Sequence, residues 1–176
     1  MRRNLNWLIA VSIVIVGTIV YVSNLQATPA SGFSASTIAV GRLAEFDVTH
    51  HLVRDLPPEA NSKKDVWLSL QKTKGDSDLY VQSNIWQVGG TTGWHSHPGH
   101  SLVTVTEGAV TNYDGDDPSC TGKVYTVGMT FVDHGGDHSH LIRNEGFVEA
   151  RTIAVQLIPA GATRRIDAAG NPKCPF

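Results

Sequence analysis

Six of the eight histidines in this 176-residue chain, His95, His97, His100, His134, His138 and His140, fall within 46 residues, and only His50 and His51 lie elsewhere. Imidazole is a common transition-metal ligand and the side chain that titrates nearest neutrality, so such crowding points to metal binding or proton transfer. His95 and His97 stand two residues apart. On a strand, alternate side chains share a face, which brings the two rings close enough to hold one ion. A His-x-His pair alone is a weak signal, and the residues around it must carry the weight. No Ser-His-Asp arrangement, phosphate-binding glycine loop or carboxylate pair offers a competing hydrolase or kinase chemistry.

The elements that would position these residues read as strands. From about Ile38 to Pro159 the chain is cut into short runs by Gly75-Asp76, Gly89-Gly90, Pro98-Gly99, Asp114 to Pro118, Gly135-Gly136 and Asn144 to Gly146. The runs between them are β-branched and aromatic: Val66 to Leu70, Leu79 to Val88, Leu102 to Thr106, Ala109 to Tyr113, Val124 to Val127, Met129 to Val132, Leu141 to Arg143 and Val148 to Ile158. None sustains a helical period, and their regular spacing predicts an all-β sandwich or barrel.

Two spaced patterns sharpen the histidine signal. Gly89 is followed by five residues, His95-Ser96-His97, three residues, Ser101, six residues and Gly108. Further on, Gly128 is followed by five residues, His134-Gly135-Gly136, and then His140 with Asn144 four positions later. Together these resemble the two motifs of the cupin family, G-x5-H-x-H-x3,4-E-x6-G and G-x5-P-x-G-x2-H-x3-N. The chain departs from them in three places. Ser101 replaces the metal-binding Glu, His134 replaces Pro, and one extra residue lies between Gly136 and His140.

The resemblance implies a double-stranded β-helix, or jelly-roll barrel, over residues 66–160, with His95, His97 and His140 as three histidine ligands of a metal with open coordination positions. A neutral three-His set suits a divalent transition metal, iron first, with nickel, copper or zinc as alternatives; hard manganese is less favoured without the carboxylate. His138, two residues from His140, is the candidate catalytic side chain, as a fourth ligand, a hydrogen-bond donor or a proton shuttle. Gln87, Ser101 and Gln156 are the polar candidates for the substrate pocket. Trp86 and Trp94 flank the first motif, either as an aromatic rim or as a core residue and an exposed turn residue. The resemblance also implies a homodimer.

Met1, Arg2 and Arg3 precede 16 residues, Trp7 to Val22, without a charge or Pro. As a helix this run spans about 24 Å, short of a ~30 Å hydrocarbon core. Residues 1–30 thus read as an export signal or an N-terminal membrane anchor, an N-terminal hydrophobic helix in either case. Residues 31–65 read as a linker and N-terminal arm, and 161–176 as a C-terminal tail whose Arg164-Arg165 pair is solvated surface. The chain is then periplasmic or extracellular, or anchored facing outward, and touches a membrane only through this segment. In an oxidising compartment Cys120 and Cys174, the only cysteines, are expected to form a disulfide.

Fourteen Lys and Arg against 16 Asp and Glu give a formal charge of −2, which excludes a nucleic-acid binder relying on basic charge. With 17% charged and 41% hydrophobic residues, the composition is that of a packed domain rather than a disordered one. Two functions of different class follow: an exported metal-dependent oxidoreductase, dioxygenase-like, acting on a small-molecule substrate, or a non-catalytic cupin binding a metal, sugar or other small ligand. A cupin isomerase or decarboxylase is a further alternative.

Overall fold

The computed structural model describes residues 28–52 and 67–176, and within them every regular element is a strand. In chain order these are β1 (Ser31–Leu43), β2 (Asp47–Leu52), β3 (Trp67–Lys72), β4 (Ser77–Thr91), β5 (His95–Ser96), β6 (Ser101–Glu107), β7 (Ala109–Asp114), β8 (Lys123–Thr126), β9 (Thr130–Asp133), β10 (His140–Arg143), β11 (Ala150–Pro159) and β12 (Ile166–Asp167). Of the export segment read at 1–30, residues 1–27 lie outside the described residues. Among those described, no helix is long and apolar enough to cross a membrane.

Ten strands form one antiparallel sheet that curls into a nearly closed barrel, in the order β12-β5-β10-β4-β11-β6-β9, with β1 added to β4 and β7 bridging β10 and β8. β2 and β3 make a separate pair. The long β4 is the axis of the arrangement, since Ser77 to Trp86 pairs with β1 on one side and β11 on the other.

Side chains alternate along a strand, so parity decides what the barrel encloses. On β4 the even positions Gln82, Asn84 and Trp86 point inward; on β11 Ala154 and Gln156 do, on β6 Ser101 and Val103, and on β9 Asp133. Cross-strand register stacks these into rows. Val105, Thr152 and Asn84 form one row, Phe131, Val103, Ala154 and Gln82 the next, and Asp133, Ser101, Gln156 and Tyr80 the row beyond it. The apolar core, with Trp86, Val103, Val105, Val110, Phe131 and Ile142, fills the barrel below the polar row.

A second small core of Trp94, Tyr113 and Leu141 packs with Cys120 and Cys174, which form a disulfide. Trp94 is therefore fully buried and forms neither a rim nor an exposed turn.

The stretch 31–65, expected as linker and arm, instead begins with the 13-residue β1. All its residues but Phe33 are exposed, the apolar Ile38, Val40 and Leu43 included, so no burial pattern announces a strand. The backbone ladder to β4 creates it, and Phe33 packs on Trp86 with ring centroids 4.9 Å apart.

Candidate metal centre

His95 opens β5, His97 follows one residue past its end, and His140 opens β10 directly across from His95. The ring centroids of His95 lie 4.3 Å from His140 and 4.8 Å from His97, and those of His97 and His140 are 5.5 Å apart. One ring nitrogen from each lies within 4.8 Å of the other two. His95 and His140 are buried and His97 is nearly so.

Each ring has its Nδ1 committed. His95 Nδ1–H donates to the Gly93 carbonyl at 2.9 Å, His97 Nδ1–H to the Arg164 carbonyl at 2.5 Å, and His140 Nδ1–H to Asp133 Oδ1 at 3.1 Å. Carbonyls and an ionised carboxylate only accept, so the hydrogen sits on Nδ1 in all three rings and each Nε2 keeps a free lone pair. This is how ligating imidazoles are held in protein metal sites. Gly93 can serve because its φ is +66° and a Cβ there would strike the Thr28 carbonyl.

Asp133, at the end of β9, stands beside the triangle. Its Oδ2 lies 3.3 Å from His97 Nε2, so two groups that can only accept face each other, and a cation between them satisfies both. A proton serves poorly. Burial holds His97 below the ordinary imidazole range despite Asp133 and the Arg164 carbonyl. Burial, then the neighbouring charges of His140, His97 and Arg165, push His95 down to about 2. Burial opposes the charge on Asp133 too, but the hydrogen bond from His140 and the pull of the two imidazoles outweigh it and hold the carboxyl at about 2. The donor set, three imidazoles with a carboxylate beside them, fits a divalent transition metal.

The centre opens on a cavity of about 120 Å³ whose walls include Phe33, Trp86 and Ile142, the polar side chains Gln82, Asn84 and Gln156, and Arg164 and Arg165 from the segment after β11. Ser101 and Gln156, paired in register between β6 and β11, are among the lining residues and almost fully buried.

Two expected residues lie elsewhere. Gln87, at an odd position of β4, is exposed on the outside, where its amide donates to Glu149 at 2.7 Å. His138 lies in the loop before β10, so the two-residue spacing to His140 does not put it on the same strand face; it is exposed, with Nδ1 3.2 Å from Asp116. His138, Asp114 and Asp116 form a second, largely exposed cluster.

Sequence reasoning missed Asp133 and Arg164. Asp133 is the register partner of Ser101, so a carboxylate reaches the site from the strand beside the one where the motif has Glu. The available signal was the Phe131-Val132-Asp133 alternation, which puts an acid on the face of a core aromatic. Arg164, read as solvated surface, is half-buried because the chain after β11 folds back over the cavity.

No family profile matches the sequence, and no curated protein matches it. Among solved structures the chain is similar to a cupin-like protein from Thermotoga maritima, with 18% identity over 52% of this chain and 65% of that one and a TM-score of 0.45. It is also similar to a conserved protein with a double-stranded β-helix domain from Klebsiella pneumoniae (19% identity, 51% of this chain, 75% of that one, TM-score 0.43) and to an oxalate oxidase (20% identity, 47% of this chain, 46% of that one, TM-score 0.40). The chain thus spans less than two thirds of the length of the Thermotoga protein and under half that of the oxalate oxidase.

Proposed function

We propose that this is an exported cupin-type metalloprotein in which His95, His97 and His140 hold a divalent transition metal, and that it acts on a small molecule as a dioxygenase-like oxidoreductase. The observation that carries this reading is the commitment of all three Nδ1–H groups to fixed acceptors, which leaves three Nε2 lone pairs directed at one place beside a cavity. Iron is the first choice, with nickel, copper and zinc as alternatives. Asp133 beside His97 removes the reason for setting manganese aside. The metal supplies Lewis acidity and open coordination positions for oxygen or substrate.

The protein's own residues do the rest. Asp133 fixes the plane and tautomer of His140, the Arg164 carbonyl does so for His97, and the Gly93 carbonyl for His95. Phe33, Trp86 and Ile142 keep the cavity wall apolar and limit the water that reaches the centre. The Cys120–Cys174 disulfide supports an oxidising compartment, in agreement with an N-terminal export segment.

Elemental analysis of the chain purified without a metal-affinity tag tests this reading. One transition metal per chain, lost in the His95→Ala, His97→Ala double variant, is the expected result. Oxygen uptake with diketones, phenolics and thiols then tests the oxidoreductase part, and a loaded protein that binds such compounds without consuming oxygen is a receptor. A folded protein that takes up no metal on reconstitution overturns the assignment.

A further inference from the structure

Arg164 is out of place as a structural residue. Five arginines fall among the described residues, and four of them pair with a carboxylate: Arg42 with Asp78, Arg143 with Glu145, Arg151 with Glu107 and Glu149, and Arg165 with Asp167. Arg164 has no carboxylate partner among those residues. Its Nε–H donates to Gln156 Oε1 at 3.2 Å, its Nη1–H to Thr37 Oγ1 at 3.3 Å, and its guanidinium lies 4.4 Å above the Tyr80 ring. These neutral contacts fix the fork in one orientation at the cavity wall and leave N–H groups over. Half-burying a guanidinium without a counter-charge is costly, and the cost is recovered when an anion arrives.

The other lining groups favour the same kind of guest. Trp86 is 1% exposed and its indole N–H has no acceptor among the described residues, so a second donor in the cavity wall lacks a partner. The single acid of the wall, Asp133, already accepts from His140 Nδ1–H and from the Gly135 N–H. The lining therefore carries the Arg164 guanidinium without a counter-charge, and Arg165 already paired with Asp167, against one engaged carboxylate, and a bound divalent metal would add further positive charge.

We infer that Arg164 makes this cavity an anion site, and that the small molecule it takes is a carboxylate of a few carbon atoms, held by the guanidinium fork on one side and facing the histidine cluster on the other. The inference deepens the proposed function and rests on it for the second contact, but the Arg164 contact stands without a metal. A planar fork with its orientation already fixed suits a carboxylate, which accepts two parallel N–H bonds. The cavity volume sets the size limit.

Calorimetric titration of the full-length chain, metal-free and zinc-loaded, with acetate, malonate and succinate, each against its uncharged amide, tests this. At least one carboxylate is expected to bind roughly tenfold or more tightly than its amide. Arg164→Gln is expected to abolish that preference while leaving the metal content unchanged, because His97 is held by the backbone carbonyl of residue 164 and not by its side chain. Arg164→Lys, which keeps the charge but not the fork, is expected to fall between.

The inference is overturned if no carboxylate outbinds its amide in the wild-type chain, or if Arg164→Gln keeps the preference. The wild-type comparison decides even if the variants do not fold. Failure of the metal reading is seen separately, as a wild-type chain that holds no metal yet discriminates carboxylate from amide through Arg164.

Discussion

Two groups of three potential metal ligands lie close together in this molecule, and they differ in nearly every respect that matters for binding. His95, His97 and His140 sit at the barrel interior, with each ring turned by a fixed acceptor and their orientation set before any ion arrives. Asp114, Asp116 and His138 cluster at the end of β7 and in the loop before β10, where His138 and Asp116 are well exposed and face each other at 3.2 Å, with the exposed His134 ring beside His138. An ion at the second group must compete with water for mobile side chains and must order them on binding. At the first group that ordering is part of folding. Ligand atoms within reach of one another do not make a site; fixed lone pairs away from water do.

The largest contrast is expected from one substitution in each group. His140→Ala should weaken metal binding by more than about 100-fold, since it removes a ligand, while His138→Ala should leave it unchanged. Competition with a chromogenic chelator measures both, and equal losses would dissolve the distinction. Asp133→Asn comes next, at roughly 10- to 100-fold, against no effect for Asp116→Asn. The direction has a specific cause. An amide in the place of the Asp133 carboxylate can turn its N–H toward His97 Nε2, capping the lone pair that the metal needs. A metal affinity that survives Asp133→Asn would mean that the carboxylate neither orients His140 nor faces the ion.

How far the sequence reached into the buried group follows from the kind of constraint at each residue. His95 and His97 could be paired from spacing alone, because β5 carries His95 and His97 lies only one residue past its end. His140 followed only from the motif, because the contact with His95 crosses 45 positions of chain and depends on pairing between β5 and β10. Gln87 failed by one residue of parity, which no local feature of a long run such as Leu79 to Val88 determines. His138 failed for a related reason, since its distance from His140 counts along a strand only if the strand extends that far. Asp133 and Arg164 escaped because each reaches the centre through another element, Asp133 by register with Ser101 and Arg164 by the return of the chain after β11. The β1 strand escaped because its partner, rather than its own burial, makes it a strand.

Acid should separate the two regions by a smaller margin. Asp78 accepts Arg42 Nε–H at 2.6 Å and Nη2–H at 3.1 Å, and also Gly161 N–H at 2.8 Å, where the segment carrying Arg164 begins. The Arg42 hydrogen bonds first, and then the Gly161 N–H, hold its carboxyl below the usual range. Asp117, in the loop that follows β7 and Asp116, is also held low, by the backbone N–H groups of Ser119 and Thr121 in its own turn. For a group whose folded-state value is depressed, the stabilisation is present above the unfolded value near 3.8 and is lost as pH falls through the folded one, so both act on the acid limb below about pH 4. They differ in what protonation releases. Asp78 joins segments 36 and 83 residues away, contacts an unfolded chain does not keep, whereas Asp117 binds two and four residues ahead, contacts an unfolded chain still samples. Asp78→Asn should therefore flatten the acid limb, moving its midpoint by on the order of a few tenths of a pH unit, with a smaller change for Asp117→Asn. Far-ultraviolet circular dichroism between pH 5 and pH 2 reads both, and a larger effect from Asp117→Asn would mean that the loop beside the exposed cluster, and not the chain segment folded over the buried one, is where acid opens the molecule.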